Sequence, residues 1–413
     1  MKPTSPLAAF AARAAWLAVI GLALTAGPVR GATAADTDWP QWRGPDRTGV
    51  SKEKGWTTQW PADGPKVLWK AELGKGYSSF SIADGKAYTM GFDGGKDTVW
   101  CFQADTGDVV WRHTYPSEAG DYPGPRCTPT VDGKVVYTLG RLGHLFCLDA
   151  ATGKVVWSKH LVDDFKAERP QWHFACSPLV LGNALILDAG MTIALQKATG
   201  ETLWKTDPEK AGYSSPMPFK MGDAILLALF PEHGLVVRNA VDGKELGRVR
   251  WKTSYGVNAA TPIIQGNEIF ISSGYGVGAA VYAVEGSSLK QVWKNKNMKN
   301  HANSCVLWEG HLYGFDGQVD EGPLTCVDVK TGDRKWAEGS LRAGSLMIAD
   351  GKIIAIGNGG DLAVIEASPN GYKELARAKV LGKTCWTMPI LSGGRIYCRN
   401  EKGQAVCLDV KGK

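Results

Sequence analysis

The 413-residue sequence has no Cys-x-x-Cys and no Cys-x-x-Cys-His, so its nine cysteines offer neither a zinc ribbon nor a covalent haem attachment. It has no Lys/Arg cluster interleaved with aromatics, which removes the footprint expected of a nucleic-acid binder. Long apolar runs are missing too. The one substantial run, "AAWLAVIGLALTAG" at 14–27, falls short of the ~20 residues that a spanning helix needs. No Ser-His-Asp or paired-carboxylate arrangement can be assembled in chain order. "SGYGVGAA" and "GNGGDL" are glycine-rich but open no helix, so they lack the phosphate-cradling geometry and read as hairpins.

The N-terminal run follows Lys2 and Arg13 and precedes Ala32-Thr33-Ala34, a small-x-small cleavage pattern. Residues 1–34 are therefore expected to be a signal peptide, and the protein to be exported, periplasmic or secreted, with no transmembrane segment after signal removal. That segment holds Lys2, Arg13 and Arg30 and no acid, so the formal charge of +6 becomes +3 on the mature chain. Near-neutrality gives no reason to expect a nucleic-acid partner. A monomer is expected.

What the sequence has in excess is glycine, at 51 residues, and tryptophan, at 16, and the two are in register. "FQADTGDVVW", "LDAATGKVVW", "LQKATGETLW" and "VDVKTGDRKW" end at Trp111, Trp157, Trp204 and Trp336. Trp69, Trp111, Trp157, Trp204, Trp251, Trp293 and Trp336 are separated by 42, 46, 47, 47, 42 and 43 residues. That period is the length of a four-stranded propeller blade. Turns at Gly107, Gly153, Gly200, Gly243, Gly286, Gly332, Gly371 and, truncated, Gly412 count eight units. Short strands broken by glycine turns at this rate leave no room for helices.

The last unit stops before an outer strand, while "KVLWKAEL" around Trp69 is an outer strand with no blade before it. The expected fold is therefore all-β, an eight-bladed β-propeller of four-stranded antiparallel blades. An N-terminal strand completes the last blade and removes the open sheet edge. A Trp at one slot in seven blades reads as inter-blade packing. Cys147, Cys326 and Cys407 occupy equivalent slots, with Cys101 close by, and Cys127, Cys176, Cys305 and Cys385 fall near first strands. Equivalent positions point into separate blade cores, so the cysteines read as buried free thiols. Residues 35–63, with "WPQWRGP", are too aromatic for a disordered leader, and Trp39, Trp42 and Arg43 are expected to pack on the ring formed by 64–413.

The Thr-Gly-x-x-x-Trp string resembles the repeat of the PQQ-like β-propellers, the superfamily of quinoprotein alcohol dehydrogenases and of the non-enzymatic, BamB-like outer-membrane assembly factors. The resemblance covers residues 66–413, and "DWPQWRGPDRTGVS" is similar to the leader of exported PQQ-like repeat proteins. It implies either a binding or assembly scaffold without enzymatic activity, or a PQQ-dependent dehydrogenase oxidising an alcohol or polymer in its central funnel, with PQQ and calcium as cofactor. The dehydrogenases use an adjacent Cys-Cys pair over the quinone, which this sequence lacks. The scaffold with no cofactor is the expectation, and no catalytic or metal-binding residue is assigned.

In a propeller the segments entering each first strand line the funnel. The candidates there are Tyr77, Arg126, His173, Tyr213, Asn258, His301, Asn303, Arg342, Lys383 and Trp386. Tyr77, Tyr213 and Trp386 are suited to stacking, His173 and His301 to donating or titrating, and Arg126, Arg342 and Lys383 to holding an anion. These three cations come from the second, seventh and eighth units, one arc of a closed ring. The partner is thus a protein or a small anionic ligand in the funnel. "DGQVDEG" at 316–322 offers Asp316, Asp320 and Glu321, but without calcium-loop spacing it reads as an exposed hairpin.

Overall fold

In the computed structural model, which describes residues 37–61 and 63–412, each Thr-Gly string is the hairpin between the third and fourth strands of a sheet. The expected signal segment at 1–34 lies outside the described residues. Blade two shows how the string works. The Asp149 carboxylate accepts from the backbone N–H of Ala151 and Thr152 and from the Thr152 hydroxyl, at 3.2, 2.8 and 2.7 Å. Gly153 closes the turn at φ +70°, a region open to glycine. An Asp side chain bonding two residues onward fixes the turn before any tertiary contact forms.

Eight sheets follow in chain order, over 81–116, 130–160, 179–205, 217–250, 263–295, 306–338, 344–379 and 390–409. The eighth is completed by Val67–Glu72, which pairs antiparallel with Gln404–Asp409 and places Trp69 opposite Cys407. The ring is therefore closed by its own N-terminal strand. Blade seven carries a fifth strand, Val50–Ser51, paired in parallel with its innermost strand. Two short helical turns occur among the described residues where no helix is expected from the sequence: the α-helix Leu161–Phe165 between blades two and three, and the 3-10 turn Ser254–Gly256 between blades four and five.

The repeated residues meet between blades. Trp111 lies opposite Cys101, which lies opposite Tyr88, and the Tyr88 and Trp111 rings meet at 5.9 Å across that small side chain. Tyr137, Cys147 and Trp157 form the same row in blade two, Tyr313, Cys326 and Trp336 in blade six, and Tyr397, Cys407 and Trp69 in blade eight. Both polar tips then reach one carbonyl of the following blade. Trp111 Nε1 and Tyr88 OH donate to Ala150 O at 3.0 and 3.3 Å, and Trp157 Nε1 and Tyr137 OH to Lys197 O at 3.0 and 2.9 Å. That carbonyl belongs to the next Thr-Gly turn, whose glycine lies under the indole. A Cβ added at Gly153 would sit 2.5 Å from Trp111, and one at Gly200 2.9 Å from Trp157.

All nine cysteines are free and buried, and burial pushes Cys101, Cys127 and Cys407 up to about 12. A second set of ties runs along the inner strands. The backbone N–H of Ser79, Thr128, Ser177 and Thr261 donates to the hydroxyl of Thr128, Ser177, Ser215 and Ser304 respectively, at 2.9–3.2 Å.

Trp251 is a correction to the periodic pattern. It follows the outer strand Glu245–Arg250, and the slot opposite Val237 holds Gly247. Trp251 Nε1 instead donates to Ser273 Oγ at 3.0 Å. Blade seven has Ala376 opposite Val364, so six blades carry the slot tryptophan rather than seven.

Gly153→Ala is expected to be destabilising by ~1–3 kcal/mol beyond the backbone strain of its positive φ, because the methyl meets an indole held by two blades. Gly133→Ala is the control, with φ +56° and open space around the added carbon. Urea unfolding of the two variants separates the contact from the strain; equal losses would refute the Trp-on-Gly role.

Candidate functional site

The leader crosses the axis of the ring. Trp39 pairs with Ile82 of blade one, and Pro40 O accepts from Val131 N of blade two at 2.8 Å. Three residues later, Arg43 Nη2 donates to Cys305 O at the start of blade six at 2.7 Å. Blades two and six face each other across an eight-membered ring, so a chain that touches both within so few residues lies over the centre. Arg47 donates to Ser177 O and Pro178 O of blade three, both at 3.2 Å, and Trp42 Nε1 donates to Thr261 Oγ1 of blade five at 2.9 Å. Farther on, Glu53 accepts from the backbone N–H of Gly393 and Gly394 in blade eight.

Arg43 and Arg47 are buried at 2% and 1% exposure, and desolvation lowers both to about 10, so they remain cations at neutral pH. Their partners are carbonyls and Gln41 rather than carboxylates. The leader thus stoppers one end of the channel.

Above Trp42 lies a cavity of about 220 Å³. Its lining includes Tyr77, Tyr122, Trp172, Tyr213, Tyr275 and Trp386. The aromatics form two walls. On the arc of blades eight, one and two, Tyr77 stacks on Trp386 at 5.4 Å and 16°, with Tyr122 at 6.1 Å from Trp386. The Arg126 guanidinium sits 5.5 Å from the Tyr77 ring centre and donates to Tyr122 O and Gly124 O. Burial, with Arg141 nearby, lowers Arg126 to about 10. On the facing arc, Tyr213, Trp172, Tyr255, Tyr275 and His301 touch in series at 6.0, 5.6, 5.7 and 4.8 Å. Burial lowers the His301 pKa, favouring the neutral ring. Arg126 is then the one charged side chain lining the cavity among the described residues.

Of the residues expected in the funnel, Tyr77, Arg126, Tyr213, His301 and Trp386 line the cavity. The other five are placed differently. Asn258 is fully buried; its amide donates to Pro231 O and Glu232 O while its oxygen accepts from Thr253 and Ser273 hydroxyls. Asn303 accepts from Asn300. Arg342 and Lys383 are exposed, so the arc of three cations does not converge; side-chain direction, invisible in the sequence, separates them. His173 lies just outside the lining, and its neighbour Trp172 holds the place instead. In the hairpin at 316–322, Asp316 is taken by Lys299 and Arg334 at 2.9 and 2.8 Å. No group of three or more His, Cys, Asp or Glu suited to a metal ion is found among the described residues.

The wall carrying Tyr122 and Arg126 hangs on Arg141, which donates to the carbonyls of Glu118, Ala119 and Asp121. Gly120 packs between Arg141 and His173. His173 is half-buried, its Nδ1 has no hydrogen-bond partner among the described residues, and burial with Arg141 and Arg126 lowers its pKa to about 4. An unfolded histidine binds its proton below about 6.5, so between those values the unfolded state holds more protons and stability falls as pH falls. Thermal melts from pH 7 to pH 4.5 are expected to show a smaller acid-dependent loss in His173→Asn, since asparagine accepts the φ of +66° and cannot titrate. An unchanged pH slope would exclude His173 as a source.

Residues 53–139 and 95–338 match, in two overlapping stretches, a family model described as "Outer membrane protein assembly factor BamB". The outer membrane protein assembly factor BamB of Burkholderia pseudomallei (strain K96243) is 24% identical over 357 residues, covering 81% of this chain and 86% of that relative. The quinoprotein alcohol dehydrogenase PedH of Pseudomonas putida is 26% identical over 219 residues, covering 49% of this chain and 33% of that relative. In solved structures, BamB from Moraxella catarrhalis superposes with a TM-score of 0.61 at 15% identity, covering 84% of this chain and 99% of that one. Quinohemoprotein alcohol dehydrogenase from Comamonas testosteroni superposes at 0.64 and 13%, covering 91% and 81%. Those two structures share the fold. With the family model spanning more than half of its length, the chain belongs to the PQQ-repeat propeller family described as the outer membrane protein assembly factor BamB.

Proposed function

We propose that this protein is an exported, non-enzymatic binding or assembly scaffold, acting as a monomer in the periplasm or outside the cell, that receives a protein partner at its central funnel. The observation that carries this reading is the composition of the funnel. It is a blind cup walled by aromatic rings, with small side chains between them and Arg126 as the lone charge. Large rigid rings provide contact area at low entropy cost and are enriched where proteins bind partners. Nothing in the lining pairs a nucleophile with a base or sets two carboxylates apart for acid-base work. No helix among the described residues is long and apolar enough to cross a membrane.

PQQ with calcium does not fit these residues. No Asp or Glu lines the cup, no metal-ligating cluster exists among the described residues, and the nine thiols are buried and none lines the cup. Hard-cation binding needs several oxygen ligands, carboxylates foremost. Equilibrating the purified protein with PQQ and calcium is expected to give no dye-coupled alcohol oxidation. Turnover that disappears in Trp386→Ala would replace the scaffold by a dehydrogenase. On the positive side, site-specific photo-crosslinking from the Tyr122 position in intact cells is expected to capture one discrete envelope protein, and to lose it when Trp172 and Trp386 are both changed to Ala.

A further inference from the structure

Beside the mouth of the cup lies a second concavity of about 610 Å³, walled by the connections into blades three, four and five. Arg169, Lys210, Arg250 and Lys252 line it, and all four are exposed. None of the four takes part in an ion pair among the described residues. The contrast next door is sharp: Arg238 and Arg248 share Glu209 and Glu245 at 2.6–3.6 Å. Two acids, Glu168 and Glu232, also line the concavity, but the Glu232 carboxylate is turned onto Gly256, where an added Cβ would meet it at 2.9 Å. The groove keeps an excess of positive charge in a concave surface, which concentrates the field and attracts negative groups.

The groove also adjoins the cup. Tyr213 lines both concavities, and Tyr255 stands at the groove with 63% exposure. Its backbone is left-handed at φ +58°, a costly conformation for an aromatic residue, and its ring is edge-on to Trp172 at 5.6 Å and Tyr275 at 5.7 Å. Strain of this kind persists where it positions a contact.

We infer that the groove docks an acidic, extended polypeptide segment of the partner, whose carboxylates lie along Lys210, Arg250, Lys252 and Arg169 while an adjoining aromatic or apolar side chain passes Tyr255 into the cup. The inference rests on the reading of the cup as a partner site. The groove is larger than a lone inorganic anion requires, and its cations come from three successive connections, which suits an elongated ligand. The aromatic boundary supplies the second half of the recognition, which a simple polyanion cannot use.

The test is fluorescence anisotropy with a labelled short Glu-rich peptide ending in Tyr, at low and high salt, on the full mature chain. Wild type is expected to bind it, with affinity falling about tenfold between low salt and ~0.5 M, because the pairs are solvent-exposed. Lys210→Gln/Arg250→Gln/Lys252→Gln is expected to lose about tenfold. An equal charge change elsewhere, Lys70→Gln/Lys96→Gln/Lys134→Gln, should leave binding unchanged. These substitutions are all at exposed positions, so folding is preserved. The same peptide with Tyr replaced by Ser should bind more weakly. No binding to wild type, equal loss in the two triple variants, or equal competition by inorganic triphosphate or anionic lipid vesicles would each overturn the inference. The scaffold reading is judged separately by the PQQ assay and the Tyr122 crosslink, so the groove fails alone if that crosslinked partner survives the groove variant.

Discussion

Blade-to-blade clasping by the slot tryptophan is the contact on which the ring depends. A four-stranded sheet cannot bury both of its faces alone, and the clasp tells each blade where its neighbour must stand. At Trp69, Trp111, Trp157 and Trp293 it does so with three features at once. The indole covers the next blade's turn glycine, its N–H reaches the next blade's turn carbonyl, and an aromatic ring of its own blade backs it across a cysteine or other small residue. The two blades without a slot tryptophan show the same need met by other means. At blade four, Gly247 lets Leu289 of blade five approach, and Trp251 crosses from beyond the strand end to Ser273. At blade seven, Ala376 shares its cluster with Trp56 and Trp60 of the leader. The leader is thus part of the ring's packing as well as its stopper.

With the sides fixed by clasps, chemical variety collects at the axis. Five of the eleven left-handed non-glycine residues among the described residues, Tyr122, His173, Tyr255, Tyr275 and Arg342, fall in the connections at the funnel or close to it. Such conformations cost ~1–3 kcal/mol each and are sustained where the surrounding fold over-determines them. A ring held by repeated clasps can carry that cost at one end. This is why two dissimilar walls, one with a cation over a stacked pair and one a run of edge-on rings, sit on eight blades of nearly one plan.

Much of this was legible in the sequence because it is local. The Asp-x-x-Thr-Gly turn forms from its own side chains, so period, blade count and the complementary ends follow from the string itself. The cysteines were legible as small buried groups for the same reason: each sits at a fixed offset from a turn. Trp251 was misplaced because a period locates a residue only to within a few positions, whereas register is set by strand pairing. The funnel was half legible. Tyr77 and Trp386 face the cup, but at the entry to blade three the lining residue is Trp172 and not His173, and a one-residue step turns a side chain to another direction. Arg342 and Lys383 show the same difficulty on the connections into blades seven and eight. That Arg43 packs on the ring was legible from the aromatic leader, but its bond to Cys305 O and those of Arg47 to Ser177 O and Pro178 O were not, since these carbonyls lie over a hundred residues away.

Those two arginines fasten the stopper to the ring. The inner strands of a propeller end at the axis with carbonyls that find no neighbour in the ladder, and an apolar stopper would leave them unsatisfied at ~1–3 kcal/mol each. A guanidinium brings five donors in a fixed fork. Arg43 satisfies Arg47 O, Thr48 O and Cys305 O, while Arg47 satisfies Ser177 O and Pro178 O, so each seals the leader to itself or to a different blade. Burying the two charges is costly, as their lowered pKa values record, but both stay protonated at neutral pH and the carbonyl dipoles offset the cost. The channel is therefore stoppered by hydrogen bonding rather than by bulk. A ligand arriving from the face that carries Tyr122 and Tyr255 meets the aromatic walls and the cations of the groove from the same side.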